Sequence, residues 1–342
     1  MRFFRRGGSD TLDGRIDAFW SWWAGAKDGL DAAIEAGQLG SRAAEIAKHV
    51  KAIDPHLAWE TAAGRSSKHM FVVSPEGDAR LRPIASAWRA AAPPTDATWE
   101  YHPSRQPGPL GALAVGDADI GATATVSLED VRAIGSWDAS RELMYVRLWH
   151  PAFPHLPPQI RTQVAFLFLD NLLGEDDVER WVGRIEADEA AAEGRTPADL
   201  EADIRAKASA ATGDRWVVAQ GTDGGGNPVL ARYNATLKRI DHPDEDQHLA
   251  VAIDKGLDDL ANTNALPPIE AAEEELVRAL DGVAIEAARV TERKRRTTHF
   301  VTGDAARALE IATEWCAAHP DPPARVAVAP DVRWDFRREY GG

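Results

Sequence analysis

Over residues 186–207 the chain runs through Ala and Glu with almost no large apolar residue, and Gly194 and Pro197 interrupt it. Such a stretch cannot assemble a core of its own, so it splits the patterned sequence on either side into two packing problems. A length of 342 residues fits that split, being awkward for one core and ordinary for two. The sequence therefore predicts a basic leader over 1–10, an N-terminal domain over 11–186, a linker over 187–210 and a C-terminal domain over 211–342.

Charge and apolar patterning narrow the partners. The formal charge of −15 opposes phosphate backbones and anionic lipid surfaces, which argues against nucleic acid and membranes as partners. No apolar run approaches the roughly 18–20 residues of a membrane span. Residues 1–10 are basic but lack the apolar stretch of a secretion signal. Cys316 is the only cysteine, which excludes an internal disulfide and a multi-cysteine zinc site and fits a reducing cytoplasm. No cofactor is expected.

Within the first half, Ile16, Phe19, Trp20, Trp23, Leu30 and Ile34 recur at helical spacing, with Asp10 or Thr11 able to cap the start. A second helix over 41–53 should stop at Asp54-Pro55. Residues 57–61 and 69–74 suit a hairpin, 79–92 a helix, and 99–102 a strand. The Pro- and Gly-rich segment 103–121 is expected as a loop, followed by strands over 123–131 and 142–150 and a buried, nearly all-apolar helix over 158–173. In the second half, strands at 216–220, 229–234 and 249–253 precede a helix at 269–280, strands at 284–291 and 296–302, a helix at 305–318 and a strand at 325–329. The expectation is an α+β protein of two domains, the C-terminal one a ferredoxin-like antiparallel sheet with two helices on one face.

Several residue groups could carry chemistry. His242, Asp244, Asp246 and His248 form the densest set of possible metal ligands and would suit a metal-assisted hydrolase. Their spacing is neither an EF-hand nor His-Glu-x-x-His, and an acidic loop entering a strand explains them equally well. The glycines of Gly221 and Gly224 to Gly226 could cradle an anion, but Pro228 and a strand follow where a phosphate loop needs Lys and a helix. A hairpin turn is the expectation there. Asp170, Glu175, Asp176, Asp177 and Glu179 follow the buried helix, either as the favourable negative start of another helix or as an acid/base set in a cleft. His150 and His155 bracket a rigid turn, and Cys316 lies three residues before His319.

Trp20, Trp22 and Trp23 cannot all face one core, because neighbouring helical positions lie about 100° apart. They should anchor a partner or pack against a neighbouring element. Arg289, Arg293, Lys294, Arg295 and Arg296 make the strong basic cluster, which could hold an acidic protein surface or RNA, or simply blunt an edge. The sequence thus reads as a cytoplasmic, noncatalytic binding or regulatory protein acting through protein–protein contacts at a sheet edge or at Trp20, Trp22, Trp23, Arg293, Arg295 and Arg296. The metal-assisted hydrolase is the alternative. A small-molecule sensor is a third, suggested by 12 Trp against four Tyr.

The run from Trp216 through Gln220-Gly221, then Asn227-Pro228 to Tyr233-Asn234, then His248 to Ile253, continued by 291–300 and Trp334, resembles the bacterial family called domain of unknown function 695. The fold of that family is related to the regulator of ribonuclease E activity, type B. In the first half, Phe19 to Trp23, Phe71 to Gly77, His150 to Phe153 and Leu169 to Asp177 resemble the companion region of similar bacterial chains. The resemblance implies an α+β fold and a binding role in which the acidic surface would engage a basic partner such as a nuclease, and it supplies no catalytic residue.

Overall fold

The computed structural model describes residues 11–117, 122–189, 194–254, 266–292 and 294–339. The basic leader, Asp10 and Arg293 lie outside the described residues. The chain divides into two compact units, residues 1–136 with 144–205, and residues 137–143 with 206–342.

The first unit opens with α1 (Leu12–Glu35), whose N-terminus is capped by Thr11 Oγ1 accepting the Gly14 N–H at 3.2 Å. Its stripe of Ile16, Phe19, Trp23, Ala26 and Leu30 is buried. Helix α2 (Ala43–Ile53) ends where Asp54 turns extended ahead of Pro55. Strands β1 (Ala58–Ala63) and β2 (His69–Ser74) pair antiparallel, and after α3 (Arg82–Ala90) strand β3 (Trp99–His102) pairs parallel to β2. The β1–β2 turn is held by Glu100 of β3, which accepts the N–H groups of Arg65, Ser66 and Ser67 at 2.8–3.0 Å and the Ser66 hydroxyl at 2.7 Å. Burial alone would push this carboxyl up, but those donors overcome it and hold it at about 2.

Residues 112–117, expected within a loop, form β4 (Ala112–Asp117), which pairs antiparallel with β5 (Ala122–Ser127). The alternation that buries Val115 is short and built on alanine, so the Pro and Gly around it dominated the sequence signal. Then come β6 (Arg132–Asp138), β7 (Leu143–Trp149), α4 (Pro158–Leu173), α5 (Glu175–Trp181) and β8 (Val182–Asp188). The sheet order is β6-β7-β8, with β7 and β8 parallel. Each three-stranded sheet of this unit is thus strand, strand, helical crossover, strand, with the middle strand parallel to the last, while β4 and β5 form a two-stranded ladder of their own. Helix α4 buries Ile160, Val164, Phe168 and Leu169 but leaves Phe166 47% exposed, so it is not enclosed on every side. Helix α6 (Pro197–Ala210) occupies much of the segment expected as a linker, and its pair Leu200 and Ile204, one helical turn apart, is buried.

The second unit contains β9 (Trp216–Thr222), β10 (Pro228–Asn234), β11 (Gln247–Asp254), α7 (Leu266–Ala279), β12 (Ile285–Thr291), β13 (Arg295–Thr302), α8 (Ala305–Ala318) and β14 (Ala324–Pro330). Its six strands run in the order β14-β11-β13-β12-β10-β9, every neighbouring pair antiparallel. Leu249, Val251, Ile253 and Phe300 from the sheet share one core with Leu276 and Leu280 of the α7 region and Ala308, Ile311, Ala312 and Trp315 of α8. Both helices therefore cover the same face. The chain is an α+β protein, and no described helix is long and apolar enough to cross a membrane.

Candidate functional site

The tryptophans of α1 are consumed inside the first unit. Trp23 is 1% exposed and its Nε1–H donates to Tyr101 Oη at 2.9 Å. Trp20 stacks on Trp88 with centroids 4.9 Å apart and donates to the Trp88 carbonyl at 3.1 Å. Trp22 stacks on His49 of α2 at 4.1 Å and donates to Glu45 at 3.1 Å. One indole enters the core while the other two lie against α3 and α2. This satisfies the 100° argument without an external partner.

The carboxylates after α4 are likewise occupied. Glu175, Asp176 and Asp177 form the first turn of α5. Glu175 accepts from the Ser74 hydroxyl at 2.7 Å, from Gly77 N–H at 2.9 Å and from Arg105 N–H at 3.1 Å. The buried Arg82 guanidinium pairs with Asp176 and, at 2.9 Å, with Glu179. Such saturation fits cohesion and leaves little for acid/base work. His150 accepts the Ala152 N–H on Nδ1 and approaches the Ser127 carbonyl through Nε2, both at 3.0 Å, as a structural brace. His319 stacks on Trp315, and burial pushes the Cys316 thiol up.

In the second unit the two sheet faces differ. On the helix-covered face, Arg296 and Arg289 converge on Glu273 of α7, with Arg289 also bound to Glu274 at 2.7 Å and Glu286 at 2.6 Å. Arg296 is therefore inside, 8% exposed, rather than part of an accessible basic patch. Its position follows from alternation, since it pairs across with Ile253 on the apolar face of β11. Arg295 points the other way, exposed, and pairs with Glu292 at 3.3 Å.

On the opposite face, His248 Nε2 lies 2.9 Å from His299 Nδ1, and both rings stack with Phe336, at 4.1 and 5.6 Å. Burial pushes both imidazoles down, His299 to about 3. His242 instead stacks near Trp334 at 6.3 Å, whose Nε1–H donates to the Glu245 carbonyl at 2.7 Å. Asp246 accepts from the Gln247 amide at 2.8 Å, and the Asp244 carbonyl faces Gly303 so closely that a Cβ there would stand 2.8 Å away. His242, Asp244, Asp246 and His248 thus have separate surroundings. Among the described residues, no three His, Cys, Asp or Glu side chains are grouped as metal ligands.

Further along this face lies a cleft of about 560 Å³, with Ala219, Val229, Ala231 and Val290 as apolar lining and Arg141, Arg338 and Glu292 among its polar groups. A second, of about 510 Å³, shares Asp223 and Glu292 and adds Ala252, Lys294, Arg295 and Arg325. The 223–227 loop between β9 and β10 is a closed turn. Asp223 Oδ1 accepts the N–H groups of Gly225 and Asn227, both at 2.8 Å, and Gly226 takes φ +78°. The amides of Asp223, Gly225, Gly226 and Asn227 are thereby spent internally.

Strand β9 borders the cleft and ends the sheet. Among the described residues it pairs with β10 alone, in unbroken register from Trp216↔Asn234 to Thr222↔Pro228. Its seven residues, Trp-Val-Val-Ala-Gln-Gly-Thr, include no charge and no proline, and Val218 is 63% exposed. Lys, Pro, bulges and inward charges are the usual means of blunting a sheet edge, and β9 uses none of them. Sequence reading located the strand but did not single it out, although the missing charge was visible in a chain that is 27% charged. Compared with known proteins, the chain matches no protein-family model and no curated protein.

Proposed function

We propose that the protein is a noncatalytic binding and regulatory protein that receives an extended segment of a protein partner along β9. The observation that carries this reading is a regular, uncharged, seven-residue edge strand whose outer side has no paired strand among the described residues. An added strand would gain main-chain hydrogen bonds, and side chains alternating toward the Ala219 and Val229 cleft would supply selectivity. The unit β11-α7-β12-β13-α8-β14, with strand order β14-β11-β13-β12, supports a ferredoxin-like core to which the β9–β10 hairpin is appended. The resemblance to domain of unknown function 695 and to the type B regulator of ribonuclease E activity favours a nuclease as the partner and a cytoplasmic setting.

The test is capture of a purified nuclease of the ribonuclease E type by the full-length protein, with hydrogen exchange read along the chain. Binding should slow exchange of β9 amides, and Val218→Lys should weaken it at least tenfold. Equal binding by the variant, with β9 exchange unchanged, would remove the edge from consideration.

A further inference from the structure

We propose that β9 also pairs with β9 of a second copy of this chain, antiparallel about a twofold axis, so that two six-stranded sheets become one. The proposal rests on the reading of β9 as a docking edge and names a specific occupant for it.

The two edges of the sheet are unequal. Strand β14 carries exposed Arg325 near its start and ends at Pro330, the kind of charge and proline that keep an edge from pairing. Strand β9 carries neither, and its register with β10 has no bulge, so all seven residues lie along one uninterrupted edge. A twofold pairing uses both β9 edges at once and leaves only the two β14 edges outside. Assembly then stops at the dimer.

Charge selects the copy over a basic peptide. Two chains of −15 each repel at long range, with screening over about 8 Å at physiological salt. Contact costs less where neither brings charge, and β9 is such a place. Centred on Ala219, self-pairing sets Val218 against Gln220, Val217 against Gly221 and Trp216 against Thr222, with no like charges opposed. A basic segment drawn by the overall acidity finds no carboxylate within residues 216–222, and beside Trp216 it meets the Arg232 guanidinium, 4.0 Å over that ring and 3.7 Å from Glu286. A seven-residue strand contact falls below the roughly 1,200 Å² of standard stable interfaces, so the dimer is expected to be reversible and micromolar or weaker.

Sedimentation velocity on the full chain, from low micromolar to several hundred micromolar, tests this. A monomer–dimer equilibrium should appear, weakened at least tenfold by Val218→Lys. It should be unchanged by Phe166→Lys, which alters an exposed aromatic of the first unit. Hydrogen exchange should show β9 amides slowing as concentration rises. A monomer at every concentration, or a dimer indifferent to Val218→Lys, overturns the proposal. If the monomer persists while β9 is protected by a bound nuclease, only the self-pairing fails. If β9 amides are already protected in the dilute monomer, the docking edge fails as well.

Discussion

Arg296 Nε approaches both carboxylate oxygens of Glu273 at 2.9 Å, and neither side chain has more than marginal contact with water. Thr298 donates its hydroxyl to the same carboxylate at 3.0 Å, and Arg289 lies 3.5 Å from it. One fully buried anion is thus shared by two guanidiniums, of which Arg289 is also paired with Glu274 and Glu286 while Arg296 has Glu270 at 3.5 Å. Besides the apolar packing of Ile269, Leu276 and Leu280, these directional bonds to Glu273 tie α7 to β13.

Removing the anion alone should therefore be far worse than removing the pair. Glu273→Ala is expected to destabilise the second unit by about 3 kcal/mol, because it leaves the buried Arg296 with the more distant Glu270 while Arg289 keeps Glu274 and Glu286. The double change Glu273→Leu with Arg296→Met should recover most of that loss. Denaturant unfolding followed by far-UV circular dichroism measures both. A double variant as unstable as the single one would show that the pair itself, and not its imbalance, sustains the fold.

The His248–His299 pair predicts an acid sensitivity of defined sign. Burial holds His299 at about 3 and lowers His248, with Asp331 opposing the shift at His248. An unfolded chain takes up protons near the ordinary histidine value of about 6.5. The folded state refuses them. Stability is thus full above about 6.5 and declines as pH falls toward about 3. His299→Phe, which keeps a flat ring against Phe336, should flatten that decline between pH 6.5 and 4. Melting temperatures across that range decide it, and an unchanged slope would remove the pair as the cause.

Much of this architecture was legible in the sequence because periodicity reports burial. The stripe of Ile16, Phe19, Trp23 and Leu30 located α1, and the alternation of Leu249, Val251 and Ile253 located β11. Long-range partners were not legible. Nothing local to Trp22 announces His49, and nothing local to Arg296 announces Glu273, because each pairing is made by the packing of distant elements. Arg296 read as exposed since its neighbours in sequence are basic, while the decisive fact is which side of β13 it occupies. Leu200 and Ile204 were hidden for the reverse reason, being two apolar residues in a polar helix. His242 and His248 looked like a set by proximity along the chain, yet a strand entry separates their surroundings.

Asp170 offers a change that should strengthen the fold. In the last turn of α4, its Oδ2 stands 3.5 Å from Arg105, too far for a strong charge-assisted bond. Burial raises its carboxyl to about 6, with Glu175 and Glu60 adding to the rise and Arg105 opposing it. Here the folded value lies above the unfolded one, so the stabilising contribution is complete below about 3.8 and is lost as pH climbs through about 6. At pH 7 the buried anion costs about 2–3 kcal/mol by the linkage between pKa and stability. Asp170→Asn keeps the shape and removes the charge, and should raise stability at pH 7 while leaving that at pH 4 nearly unchanged. Because the histidine pair acts with the opposite sign over an overlapping range, the quantity to measure is the difference between variant and parent unfolding free energies at each pH. A difference that does not grow between pH 4 and 7 would mean that Asp170 is adequately paired as an anion.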